Sequence, residues 1–231
     1  MKFLPVLPAL PVLAAASLAL GLVAAAPPHH SAPIVAGDTP GGFRFGSASA
    51  PIKLVEFGSL NCSHCAAFAK ATDPAIVAAV KSGRMHYEYR PFAIFPQDLA
   101  THALAKCVPA GQRLSFIDDY YRSQQAVAAR FQAITSDAAA VAAINAVLET
   151  GGANAALKLA EVGGMFPIAA RHGLPERTAR QCIANPATLN WVAASTAAAG
   201  KAGVSQTPTF DYNGKRTEVT AVMAKLGVKG E

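Results

Sequence analysis

An apolar run, Ile52-Lys53-Leu54-Val55-Glu56-Phe57, is followed after four residues by Cys62-Ser63-His64-Cys65, and this pairing constrains the fold more than any other stretch. The run has strand composition. Cys62 to Lys70 holds good helix formers and neither Gly nor Pro, so a helix opens at Cys62 and extends to about Val80, interrupted near Pro74. Lys81-Ser82-Gly83 reads as a turn and Met85 to Arg90 as a second strand. Strand, helix and strand of these lengths make a βαβ unit with parallel pairing and a right-handed crossover. The cysteine pair then lies at the carboxyl end of a strand, where open α/β sheets keep their sites.

That position sets the chemistry of the two thiols. A cysteine opening a helix faces unpaired backbone N–H groups and the positive end of the helix dipole, so Cys62 is expected to ionise readily and to serve as both nucleophile and leaving group. Cys65, one turn further in, is placed to resolve a mixed disulfide formed at Cys62. His64 between them, protonated or donating, adds to thiolate stabilisation and tilts the pair toward its reduced form, which makes the disulfide an oxidant. Other uses of a CxxC remain open. Half a zinc site would need partners, but Cys107 and Cys182 are isolated and there is no second CxxC. A structural disulfide across so short a loop gains little closure entropy. Cys62, Cys65 and His64 together offer soft ligands for copper.

The rest of the 231-residue chain adds context. Residues 1–26 read as a signal peptide: Lys2 begins it, Leu4 to Val23 is apolar, and Ala24-Ala25-Ala26 offers cleavage after Ala25 or Ala26. An uncleaved anchor is the alternative. Either way the mature chain is expected in an oxidising compartment, the periplasm. Residues 27–50 are rich in Pro, Gly, Ser and Ala and read as a flexible tether, with a short edge strand at Phe43-Arg44-Phe45 and a solvated His29-His30 pair. From 97 to 200 the pattern is helical: 98–107, 113–124, 136–148, 154–171, 175–183 and 186–199. No motif recurs at a fixed period, so this block reads as an insertion rather than a repeat array. Strand chemistry returns at Thr209 to Tyr212 and Thr217 to Val219 around Asn213-Gly214, a hairpin signal, before a helix at 221–226. The net charge of +6 is spread thinly, without the basic stripe of a nucleic-acid surface.

The order βαβ, helical block, ββα, with Cys62-Ser63-His64-Cys65 after the first strand and Thr207-Pro208 before the hairpin, resembles the DsbA-like thiol-disulfide oxidoreductases. Two motifs carry the resemblance: Val-Glu-Phe-Gly-Ser-Leu-Asn-Cys-Ser-His-Cys at 55–65 and Gly-Val-Ser-Gln-Thr-Pro-Thr-Phe at 203–210. It spans Pro51 to the C-terminus. It implies an α/β chain of thioredoxin-like fold over 51–96 and 201–231, with an inserted all-helical domain over 97–200.

For the site, the resemblance implies a cis Pro208 against the reactive pair, with Thr207 before it offering backbone to a substrate strand. It also implies that Glu56, beneath the pair, accepts the Cys65 proton. Ser63 stands where relatives commonly have proline, and Thr207 is a residue favoured in the isomerase branch. Both bear on redox potential and on direction. Cys107 and Cys182, each in a helical run, are expected to form a structural disulfide, the alternative being two buried free thiols. The function implied is a periplasmic dithiol oxidase, an enzyme without organic cofactor. Its substrates would be reduced or unfolded exported proteins, and a membrane DsbB-like oxidase would reoxidise it. An isomerase or reductase is the alternative. Isomerases of the family dimerise through an added N-terminal domain, for which 27–50 is too short, so a monomer is expected.

Overall fold

The computed structural model describes Met1 and residues 34–228. The expected signal peptide, Met1 apart, and the start of the expected tether, including His29 and His30, lie outside the described residues. The element order is β1 (Ala36–Thr39), β2 (Gly42–Phe45), β3 (Ile52–Gly58), α1 (Ser63–Lys81), β4 (Met85–Pro91) and α2 (Asp98–Cys107). A 3-10 turn at Ala110–Gln112 leads into α3 (Arg113–Thr135), α4 (Ala138–Glu149), α5 (Gly152–Val162), α6 (Met165–Arg171), α7 (Glu176–Ala184) and α8 (Pro186–Lys201). β5 (Thr209–Tyr212), β6 (Lys215–Thr217) and α9 (Val219–Lys225) are the last elements among the described residues.

The six strands form one mixed sheet in the order β1-β2-β4-β3-β5-β6. β3 and β4 pair in parallel, with Leu54 opposite Tyr87 and Glu56 opposite Tyr89, so the βαβ unit expected around the cysteines is present. β5 runs antiparallel to β3 on its other side, with Phe210 opposite Glu56. The β5–β6 hairpin turns at Asn213-Gly214, whose φ values of 48° and 77° are left-handed, the conformation that favours this dipeptide in tight hairpins.

Three expectations are corrected. Residues 36–45 are not tether: they fold as an antiparallel hairpin, and β2 lies inside the sheet between β1 and β4 rather than at its edge. Phe43 and Phe45 alternate around the exposed Arg44 and are completely buried, and that burial offsets the cost of ordering a Gly-rich segment. α1 is continuous through Pro74. Pro74 and Lys70, whose carbonyl loses its intrahelical donor there, both lie on the exposed side, where water satisfies the freed group. The helix expected over 154–171 is two helices, broken at Gly163-Gly164, where Gly164 takes a left-handed φ of 64° that other residues rarely adopt.

The inserted helices share the sheet's core. One apolar cluster runs from Phe43, Leu54 and Tyr87 through Leu104, Phe116 and Tyr120 to Phe166 and Ile183. β3 is buried on both faces: Leu54 and Glu56 look toward α1, where Phe68 meets Phe210 at 4.4 Å between ring centroids. Val55 and Phe57 point the other way, onto Ala199 and Val204. β3 and α1 therefore present the cysteine pair from the interior of the fold.

Candidate active site

The chain leaves β3 at Gly58 and reaches the first turn of α1 through Ser59-Leu60-Asn61, so Cys62 occupies the N-cap with an extended backbone. No side chain caps this end. The Cys62 thiol beside these uncapped N–H groups is held down to about 5 from an ordinary value near 9. The Cys65 thiol donating to it is the largest cause; the Thr207 hydroxyl and the backbone N–H groups of Cys65 and His64 add to it, and burial opposes. Thr207 precedes Pro208, and the bond between them is cis. Cys62 Sγ lies 3.4 Å from the Thr207 carbonyl, which can accept from the thiol only. Thr207 Oγ1 is buried without another partner, and it is the donor free to serve the thiolate.

Cys65 is completely buried, and its thiol is pushed far above the ordinary value by burial first, then by the Cys62 sulfur and the Glu56 carboxylate. The two thiols thus differ in the direction of their shifts although they stand one turn apart. Glu56 is 2 % exposed, and burial raises its carboxyl to about 7 against the opposing pull of the Tyr87 hydroxyl, which donates to Oε2 at 2.8 Å. Its other oxygen, Oε1, has no partner. Alternation along β3 cannot tell which face Glu56 takes, because both faces are buried.

The structure places Ser63 and His64 on the exposed side of the first turn. His64 contributes its backbone N–H to the Cys62 sulfur. Among the described residues no cluster of three Cys, His, Asp or Glu side chains is arranged to hold a metal ion, and His64 does not converge with Cys62 and Cys65. Cys107 and Cys182 are bonded to each other, tying the end of α2 to α7.

A hydrogen-bond hub beside the cysteines escaped the sequence. Asp98, the first residue of α2, is fully buried and accepts from Ser59 Oγ at 2.9 Å, from Asn61 Nδ2 at 2.8 Å and from the N–H groups of Ile94 and Phe95 at 2.9 Å each. His102 lies 3.9 Å from it, but burial lowers that imidazole to about 4, so hydrogen bonds rather than an ion pair satisfy the carboxyl group. From α3, Gln124 Nε2 donates to the carbonyls of Leu60 at 2.9 Å and Cys62 at 3.1 Å, and Tyr120 donates to Asn61 Oδ1 at 3.2 Å. Every residue from Ser59 to Cys62 is therefore held by the helical insertion. The one sequence signal was an acidic residue in the first turn of a helix, which is common for dipole reasons alone.

The thioredoxin family model matches residues 38–226. The chain belongs to the thioredoxin family. This thioredoxin-family protein matches no curated protein in sequence. Among solved structures it is similar to a protein-disulfide isomerase from Novosphingobium aromaticivorans, with a TM-score of 0.66 and 24% identity over 79% of this chain and 96% of that one. It is also similar to α-DsbA1 from Wolbachia pipientis (TM-score 0.57, 19% identity, 82% and 91% covered) and to BdbD from Bacillus subtilis (0.55, 15%, 84% and 96%). The fold is that of DsbA-like proteins, a thioredoxin fold carrying a helical insertion.

Proposed function

We propose that the chain is an exported, periplasmic dithiol oxidase that passes its Cys62–Cys65 disulfide to reduced exported proteins. The observation that carries this reading is the opposition of the two thiols: Cys62 is held down to about 5 at the head of α1 beside Thr207, and Cys65 is buried and pushed up. A substrate thiolate attacks Cys62 Sγ, the Cys62–Cys65 bond breaks, and the leaving Cys65 thiolate takes a proton from Glu56. The second substrate thiolate then attacks its own partner sulfur in the mixed disulfide and expels Cys62 as a stable thiolate. Two electrons have moved to the enzyme, and the substrate leaves with one disulfide. Stabilising the reduced pair in this way makes the disulfide a strong oxidant.

Sulfur alone carries the chemistry, so no organic cofactor is required. The reduced enzyme must be reoxidised, and a membrane DsbB-like oxidase is the partner that DsbA-like proteins use. The apolar, small-residue character of 1–26 supports export. An isomerase is the second reading, favoured by Thr207 and by the similarity to the Novosphingobium protein named for that activity.

Refolding assays separate the two. An oxidase oxidises reduced substrate and does little for scrambled substrate, so strong rescue of scrambled substrate would replace the first reading by the second. Cys62→Ala abolishes either activity, and an active variant would overturn the mechanism. Equilibration against glutathione ranks the potential of the pair.

A further inference from the structure

Between the α1 face of the sheet, α1 and α3 lies a cavity of about 240 Å³, lined by Glu56, Asp73, Tyr87, Asp118, Tyr121 and Lys81. Glu56, the most buried acid of the lining, has its Oε1 without a hydrogen-bond partner. Asp73, three turns into α1 from the cysteines, lines the same cavity and is only half buried, so it touches both the cavity and solvent. Much of the lining is apolar, but the carboxyl groups of Glu56, Asp73 and Asp118 and the Tyr87 and Tyr121 hydroxyls line it too, and a space of this size with such partners has room for water.

We propose that Asp73 and this cavity carry the proton that Glu56 exchanges with Cys65, to and from solvent. The proposal rests on the thiol-exchange reading above and adds a residue to it. Cys65 and Glu56 are both sealed from the surface, so each exchange at Cys65 moves a proton that needs a way in and a way out. When the disulfide is reduced, Cys65 leaves as a thiolate and takes the Glu56 proton. Asp73 then takes a proton from solvent and passes it through cavity water to the Glu56 carboxylate. Reoxidation runs the same transfers backwards, and no other reactant is needed.

The charges around the cavity suit this exchange. Burial, then the charge of Glu56, raises Asp73 to about 7, and burial raises Glu56 to about 7, so the pair keeps close to one proton at neutral pH. On α3, Asp118 is engaged by Arg122, which pulls Asp73 down; Tyr121 is neutral and turned to Tyr89. On β4, Tyr87 holds Glu56, and Lys81 closes α1. The linings from β1 and β2, Ala36 and Phe45, bring no charge.

Asp73→Asn tests the relay and Asp73→Glu controls it, with reduction by a small dithiol followed from pH 5 to 9 and the rate expressed per dithiol thiolate. In the wild type this rate falls as the carboxyl pair loses its proton near neutral pH. In Asp73→Asn the fall moves down by about one pH unit, the neutral-pH rate drops several-fold, and formate, small enough for the cavity, restores it; Asp73→Glu behaves as wild type. Carboxyl-labelled Glu56 titrates in two coupled steps in the wild type and in one step in Asp73→Asn. An Asp73→Asn protein with the wild-type profile, no response to formate and an unchanged Glu56 titration overturns the relay alone. A wild-type protein that dithiols cannot reduce overturns the exchange reading and the relay with it.

Discussion

Reducing the Cys62–Cys65 disulfide should make the protein's stability depend on pH in a way the geometry specifies. In the folded, reduced protein the Cys62 thiol titrates at about 5, whereas an unfolded chain returns it to a value near 9. A folded value below the unfolded one contributes stability that is fully present above the unfolded value and is lost as pH falls through the folded one. The window therefore runs from about 9 down to about 5. At pH 7 the ratio of the two binding polynomials is about 100, which corresponds to at most about 2.7 kcal/mol. Solvent reaches the rim of the site and screens part of this, so about 1–2 kcal/mol is expected. The assay is urea unfolding of protein carrying two free thiols by titration, with Cys107–Cys182 still closed, at pH 4 and pH 7. Subtracting the same measurement on Cys62→Ser cancels the other titrating groups. Thiolate absorbance at 240 nm supplies the midpoint independently. A difference between wild type and Cys62→Ser that is the same at pH 4 and pH 7, or an absorbance midpoint near 9, would refute the reasoning.

Glu56→Gln should raise stability by about 2–3 kcal/mol at pH 8, because the raised folded value favours the protonated acid below about 4.5 and loses that advantage as pH rises through about 7; thermal melts at pH 4 and pH 8 read the stability, and slower exchange is expected alongside. Asp98→Ala strands Ser59 Oγ, Asn61 Nδ2 and two backbone N–H groups, so urea unfolding should show a loss of about 3 kcal/mol with a higher Cys62 midpoint at 240 nm. Thr207→Val removes the unpartnered hydroxyl beside Cys62 and should raise that midpoint by about one unit. Cys107→Ala with Cys182→Ala opens a link across 75 residues and should cost about 4 kcal/mol in urea unfolding, with the oxidised active site intact.

What the sequence discloses follows from how local each signal is. The strand-to-cysteine spacing and the Asn213-Gly214 turn are short-range patterns, and the parallel β3–β4 pair and the turn itself stand where those patterns put them; the strand expected over 217–219 is instead β6 at Lys215–Thr217, because the two-residue turn brings Lys215 directly opposite Tyr212. The hairpin at 36–45 was obscured because its Pro and Gly content reads as coil, while its stabilisation comes from Phe43 and Phe45 finding Tyr89 and Tyr87 across β4, a contact between segments more than forty residues apart. The Gly163-Gly164 break sat inside a run of helix formers whose propensity masked it. Asp98 was invisible for a sharper reason. Its partners Ser59 and Asn61 lie 39 and 37 residues upstream, and nothing in the composition of either segment announces that they meet.

That meeting changes the status of the insertion. A bare βαβ…ββα core supplies the strand that ends at Gly58 and the helix whose N–H groups face Cys62, but it leaves the connecting loop to solvent. Here the first inserted helix sends Asp98 to Ser59 and Asn61, and the second sends Tyr120 and Gln124 to Asn61 and to the carbonyls flanking the loop. A thiolate is stabilised by donors only while they stay aimed at it, so the depressed value at Cys62 depends on this loop being rigid. The same Asp98 oxygen that accepts from Ser59 also accepts from the N–H groups of Ile94 and Phe95, whose side chains are exposed. One buried carboxyl group thus fixes the position of the loop that carries Cys62 and of the surface beside it together. The insertion is therefore part of what holds the Cys62 thiol down, and the difference between this chain and a minimal thioredoxin lies as much in how the loop before Cys62 is held as in the residues between its cysteines.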